Sequence, residues 1–107
     1  MLVDHRTYRM KPGRMQAHLD LYEQYGYAAQ VRHLGKPLAH MVAETGELNT
    51  LVHIWVYEDA ADRAKRRAAM AADPEWQLYL KKNAEAGNLD QQVTKLMTPT
   101  KFHPTKP

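Results

Sequence analysis

Residues 49–57 alternate as a strand does, and their two faces differ in kind. Thr50, Val52, Ile54 and Val56 form one face, which reads as plain core. Asn49, Leu51, His53, Trp55 and Tyr57 form the other. An amide, an imidazole, an indole and a phenol on one face suit the lining of a cavity for a polar or aromatic ligand. This segment is the expected central strand, and the other elements are expected to cover it.

Residues 2–8 alternate too, with Leu2, Asp4, Arg6 and Tyr8 on one side and Val3, His5 and Thr7 on the other. After a break at Lys11-Pro12-Gly13 the period becomes helical over residues 14–25, where Met15, Leu19, Tyr22 and Gly26 follow three- and four-residue spacing. Residues 28–35 read as a connection. Residues 38–44 and the central strand flank a turn at 45–48 and predict an antiparallel hairpin. Asp59 suits an N-cap, and the helix it opens runs to about residue 72, with Ala61, Ala64, Ala68 and Ala71 as a small-residue stripe fit to pack on a sheet. Asp73 caps a further helix with Pro74 in its first position, and Trp76, Tyr79 and Leu80 share a face until Gly87-Asn88 ends it. Residues 91–97 form the last strand, polar enough for a sheet edge.

The order β-α-β-β-α-α-β is that of the ferredoxin-like split βαβ fold, an α+β domain with a four-stranded antiparallel sheet and helices on one face. One domain over residues 1–97 is expected, followed by a tail, 98–107, that contains three prolines. Helices cover one side of such a sheet. The expectation places Leu51, Trp55 and Tyr57, with Leu2 and Tyr8, on the side left open. Two copies stacked sheet to sheet would bury that apolar surface and enclose a cavity, giving a dimeric α+β barrel.

Composition narrows the function without naming it. Hydrophobic residues at 44% and charged residues at 25% describe an ordinary globular chain, with no apolar run of membrane-spanning length. No apolar or Arg-rich leader opens the sequence, so a cytoplasmic location is expected. The absence of cysteine excludes thiolate chemistry. A net charge of +3 has scattered sources, and the one dense basic run, Arg63 to Arg67, gives way to Asp73 and Glu75; it reads as a solvated helix face, and no nucleic-acid partner is expected. The six histidines lack ligand spacing, although His40 and His53 can approach across the hairpin, so neither a metal nor a cofactor is expected.

His53 is the candidate catalytic residue, because an imidazole is the side chain most readily poised for proton transfer near neutral pH. Trp55 lies two positions along the same face, and Asn49 and Tyr57 complete it. Arg6 and Tyr8 share a face of the neighbouring strand, where a fixed positive charge would suit a carboxylate or enolate ligand. His33, in the connection ahead of the hairpin, could hang over the cavity mouth.

Several short stretches together carry a family likeness: Arg6-Thr7-Tyr8, Pro12-Gly13, Arg32-His33-Leu34-Gly35, Gly46 to Asn49, the His53 to Tyr57 strand, Asp62-Arg63 with Arg66-Arg67, and Asp73-Pro74-Glu75-Trp76. In this order and spacing the chain resembles the NIPSNAP family of dimeric α+β barrel proteins over nearly its whole length. The resemblance implies a ferredoxin-like fold that pairs sheets in a homodimer. It brings no settled activity. Animal members are linked to mitochondria and vesicle traffic, whereas this chain looks like the bare bacterial-type domain. Two functions remain open: a homodimeric barrel that binds a small aromatic or acidic metabolite, with or without cofactor-free catalysis, and a protein–protein interaction module without catalytic activity.

Overall fold

In a computed structural model of the chain, residues 1–104 are described. The strands are β1 (Leu2–Met10), β2 (Ala39–Val42), β3 (Thr50–Tyr57) and β4 (Leu89–Met97), and the helices are α1 (Met15–Leu21), α2 (Tyr27–Leu34), α3 (Ala60–Ala71) and α4 (Pro74–Ala86). A π-helical turn, Tyr22–Gly26, joins α1 to α2. All strand pairs are antiparallel in the order β2-β3-β1-β4, so β1 and β3 are central. This is the expected α+β split βαβ fold.

Caps act where the sequence places them. Asp59 accepts from the backbone N–H of Asp62, Asp73 accepts from that of Glu75 with Pro74 beside it, and α4 ends on Gly87 in the left-handed conformation. Among the tail residues, 98–104 lie beyond the sheet and leave Phe102 exposed, while 105–107 fall outside the described residues.

Three expectations fail. Residues 28–35 are not a connection, because the first helix continues through the π turn to Leu34. Gly26 sits in that turn, where a Cβ would meet ring atoms of Tyr22 and Tyr79 at 2.9 Å. The glycine reads locally as a helix end, yet it serves the close approach of this helix to α4. The alanine stripe of α3 does not pack on the sheet either: Ala61 and Ala64 are exposed, whereas Asp62, Arg63, Arg66 and Arg67 are half-buried and Met70 is buried. Arginine stems are apolar, so they can cover the sheet while their heads reach polar partners.

The third correction concerns the faces of the sheet. Leu51, Trp55 and Tyr57 lie beneath the helices, and Trp55 and Tyr57 pack in one core with Tyr22, Leu34, Met70 and Trp76. The set Thr50, Val52, Ile54 and Val56 is the open one, and each of these residues keeps intermediate exposure. Alternation defines two faces and does not say which the helices choose. The bulkier face fills the deeper space between layers.

Candidate functional site

A cavity of about 540 Å³ lies between the sheet and the helices of a single chain, not between two sheets. Small-molecule sites have this size. Its sheet wall includes Arg6, Tyr8, Leu51, His53 and His40, and its helix wall includes His18, Tyr22, Arg67, Tyr79 and Asn83.

Strand register assembles the sheet wall. His40 faces His53 across β2 and β3, and His53 faces Arg6 across β3 and β1, so the three lie in one row. The rings then stack. Tyr8 lies 4.8 Å from His53 with planes 6° apart, His53 lies 5.2 Å from His40 at 17°, and His40 lies 5.4 Å from Tyr22 at 15°. Tyr22 reaches this column from the π turn and donates its hydroxyl to Gln30 at 2.5 Å.

Trp55 stands behind the column, edge-on to His53, and donates its indole N–H to His53 Nδ1 at 2.5 Å. An imidazole that accepts at Nδ1 is neutral and carries its proton on Nε2. Burial, followed by the nearby charges of His40 and Arg6, pulls the His53 pKa down to about 3. Burial likewise lowers the pKa values of His18 and His40 and raises those of Tyr22 and Tyr79. The wall is therefore aromatic and uncharged apart from its arginines.

Arg6 of the wall and Arg63 behind it gather about a carboxylate, Asp4, with no exposed surface. Asp4 receives Arg6 Nε at 2.9 Å and Arg63 Nε at 3.0 Å. Burial opposes its ionisation, but the hydrogen bonds from Arg6 and Arg63 outweigh that cost and hold the carboxyl below its usual range. Arg6 also donates to the Tyr8 hydroxyl at 3.4 Å, and its partners keep it protonated against the same burial. One carboxylate shared by two guanidiniums leaves positive charge over, and Arg67, one turn along α3 from Arg63, brings another cation to the cavity.

Arg6, Tyr8 and His53 thus line the cavity together, with Trp55 positioned behind His53. Tyr57 is core, in the cluster with Trp55. Asn49 precedes β3 in the left-handed conformation, its carbonyl bonded to the N–H of Met10, outside the cavity lining. His33 lies on α2, bonded to Asp73 at 2.8 Å, also away from the lining. His18, Tyr22, Tyr79 and Asn83 were missed, because their place opposite the sheet depends on how four helical segments pack. Arg67 was missed because a dense basic run resembles a solvated face. Among these further lining residues His40 was legible, through its hairpin pairing with His53. Among the described residues, no group of three His, Asp or Glu side chains could hold a metal, and no helix is long and apolar enough to cross a membrane.

Fold and cavity together define a two-layer α+β protein of ferredoxin-like topology whose candidate site lies between the layers. The chain belongs to the NIPSNAP family, whose pattern it matches over residues 3–104. It is 32% identical over 98 residues to a NipSnap homolog of Dictyostelium discoideum, an alignment covering 91% of this chain and 42% of that protein. The chain thus spans less than half the length of this curated relative. A crystal structure of a NIPSNAP family protein of unknown function from Agrobacterium tumefaciens superposes with a TM-score of 0.88 at 38% identity, covering 97% of this chain and 92% of that one. An uncharacterized NIPSNAP domain protein from Burkholderia xenovorans gives 0.89 at 30% identity, covering 98% and 100% respectively.

Two predictions follow from the charges. Asp4→Asn leaves two half-buried guanidiniums without their counter-charge and is expected to destabilise the fold by about 3–5 kcal/mol in chemical denaturation. The native Asp4 pKa is depressed, so its contribution is complete above the ordinary value of 3.8 and disappears as pH falls below it. Acid unfolding should lose that component in the variant, and an unchanged acid limb would show that Asp4 does not carry it. For His53, nitrogen-15 NMR is expected to show the Nε2–H tautomer with no protonation until pH approaches about 3. A ring that titrates near the ordinary 6.5 would contradict the geometry.

Proposed function

We propose that this chain binds a planar, anionic small molecule in the cavity between its sheet and its helices, and that it acts as a homodimer joined through the open face of the sheet. The observation that carries the ligand reading is the meeting of guanidinium charge in excess of Asp4 with a column of stacked, neutral rings on one wall. A guanidinium fork matches a carboxylate, and the edges of stacked rings suit an aromatic partner in edge-to-face contact. The carboxylate would accept from Arg67, from the remaining N–H groups of Arg6 and from His53 Nε2–H.

The Nδ1 lone pair of His53 is already taken by Trp55, so the ring suits donation to an oxygen that carries or gathers negative charge. It does not suit proton abstraction in that tautomer. If the cavity catalyses a reaction, this geometry favours a cofactor-free step that passes through an enolate-like oxyanion.

Support for the dimer comes from the sheet. Its open face carries Val52, Ile54 and Val56, with Val93 and Met97 on β4 and Met41, 58% exposed, on β2. Four strands of nine, four, eight and nine residues, spaced ~4.8 Å apart at a rise of about 3.3 Å per residue, give each copy an open face of roughly 500 Å². Two copies would bury roughly 1,000 Å², the lower bound for a stable interface.

Calorimetric titration of benzoate and of benzamide, its neutral analogue, tests the ligand reading. Benzoate is expected to bind more tightly, and Arg67→Gln to weaken it about tenfold while narrowing the gap. Equal affinity for the two, or no binding of either, would overturn an anion site. Sedimentation tests the assembly: the parent is expected to be a dimer and Ile54→Lys a folded monomer. A monomeric parent at micromolar concentration would refute the dimer.

A further inference from the structure

No Asp or Glu lines the cavity, so among the described residues the groups there able to take a proton near neutral pH are three imidazoles, His18, His40 and His53. They are not equivalent. The Nδ1 lone pair of His53 is occupied by the Trp55 indole N–H. His18 is hydrogen-bonded to Asn83. His40 makes no hydrogen bond to a described residue and is held by ring contacts on both sides, between His53 and Tyr22. Burial lowers the His40 pKa, which leaves the ring uncharged with one nitrogen lone pair free. His40 is therefore the lining base that is open to a ligand.

That base stands beside a donor. Register places Arg6, His53 and His40 in one row across β1, β3 and β2. The row offers, in order, a guanidinium, an imidazole N–H and a free imidazole lone pair. A 2-oxo acid carries its functional atoms in the matching order: the carboxylate, the carbonyl oxygen on C2 and the acidic hydrogen on C3. The first and third carbons of such an acid are about 2.5 Å apart, and a contact of about 3 Å at each end extends the span to about 8.5 Å. Three strands at ~4.8 Å spacing give the row a comparable length, about 10 Å. A planar 2-oxo acid also sets its carbonyl oxygen beside a carboxylate oxygen, so the His53 Nε2–H can serve both.

We propose that the cavity interconverts the keto and enol forms of an aryl-substituted 2-oxo acid, with His40 as the base and His53 as the donor to the enolate oxygen. This rests on the anion-site reading above and names its substrate class. The His40 lone pair takes the proton from C3. The electrons of that C–H bond form the C2=C3 double bond, and the carbonyl π pair moves onto oxygen. The oxyanion accepts from His53 Nε2–H while Arg6 and Arg67 hold the carboxylate. The His40 imidazolium then returns its proton to that oxygen, which yields the enol and the free imidazole. Atoms and electrons balance between substrate and His40, so the step needs no co-reactant. His53 stays neutral throughout, because Trp55 keeps its Nδ1.

Phenylpyruvate and its longer homologue 2-oxo-4-phenylbutanoate are the probes. Proton NMR in deuterium oxide is expected to show their C3 hydrogens exchanging faster with the protein than in buffer alone, and the enol of phenylpyruvate should ketonise faster by loss of its absorbance. His40→Phe keeps a ring between Tyr22 and His53, and it should slow both reactions about 100-fold while benzoate affinity changes by less than about threefold. Circular dichroism checks its fold, and His40→Gln provides the same loss without a second bulky ring. If benzoate binds and neither probe reacts faster than in buffer, this inference falls while the anion site stands. If benzoate does not bind and neither probe reacts, both readings fall. Exchange that survives in a folded His40 variant, or that His18→Phe abolishes in its place, makes another group the base and overturns the assignment.

Discussion

The carboxylate of Asp4 has no contact with solvent, and much of the molecule is arranged around keeping it charged. It lies on β1 beneath α3, and a buried charge is tolerated only when paired and hydrogen-bonded. Arg6 comes to it from the same strand and Arg63 from the helix above. Such an arrangement contributes little net stability compared with an apolar core, but it orients what surrounds it. Helix α3 turns its arginines toward the sheet and leaves Ala61 and Ala64 in solvent, against the usual order of an amphipathic helix. Arg66 then reaches Asp62 and the carbonyl of Leu34, and Arg67 reaches the cavity.

The other organising feature is the column of rings from Tyr8 through His53 and His40 to Tyr22. Three of these residues come from adjacent strands and the fourth from a π turn, a feature often found where a helix is adapted to a site. Gly26 in that turn lets the helix close on Tyr79. The cavity thus lies between a sheet wall held by strand register and a helix wall held by close packing. Trp55 adds a chemical constraint from behind by occupying His53 Nδ1, which makes the imidazole a neutral donor.

NIPSNAP membership establishes the architecture and stops there. Two crystal structures that match this chain over nearly its whole length are themselves of unknown or uncharacterized function, so functional argument must start from the site. In this chain the site combines positive charge in excess of its carboxylate with a column of uncharged rings.

Much of the fold was written in local chemistry. Alternation in β1 and β3 placed residues on faces, Asp59, Asp73 and Pro74 marked helix starts, and Gly87 marked a helix end, because each acts on its neighbours within a few residues. Hairpin pairing also brought His40 to His53. What remained undetermined depended on partners distant in sequence. Alternation makes two faces equivalent, and only the volume beneath the helices made the face of Leu51, His53, Trp55 and Tyr57 the covered one. The direction of Arg63 and its neighbours was decided by Asp4 at the other end of the chain, and the continuation of the first helix past Gly26 by contact with Tyr79. The cavity between sheet and helices is the sum of those long-range contacts, so its residues were present in the sequence but their meeting place was set by tertiary packing.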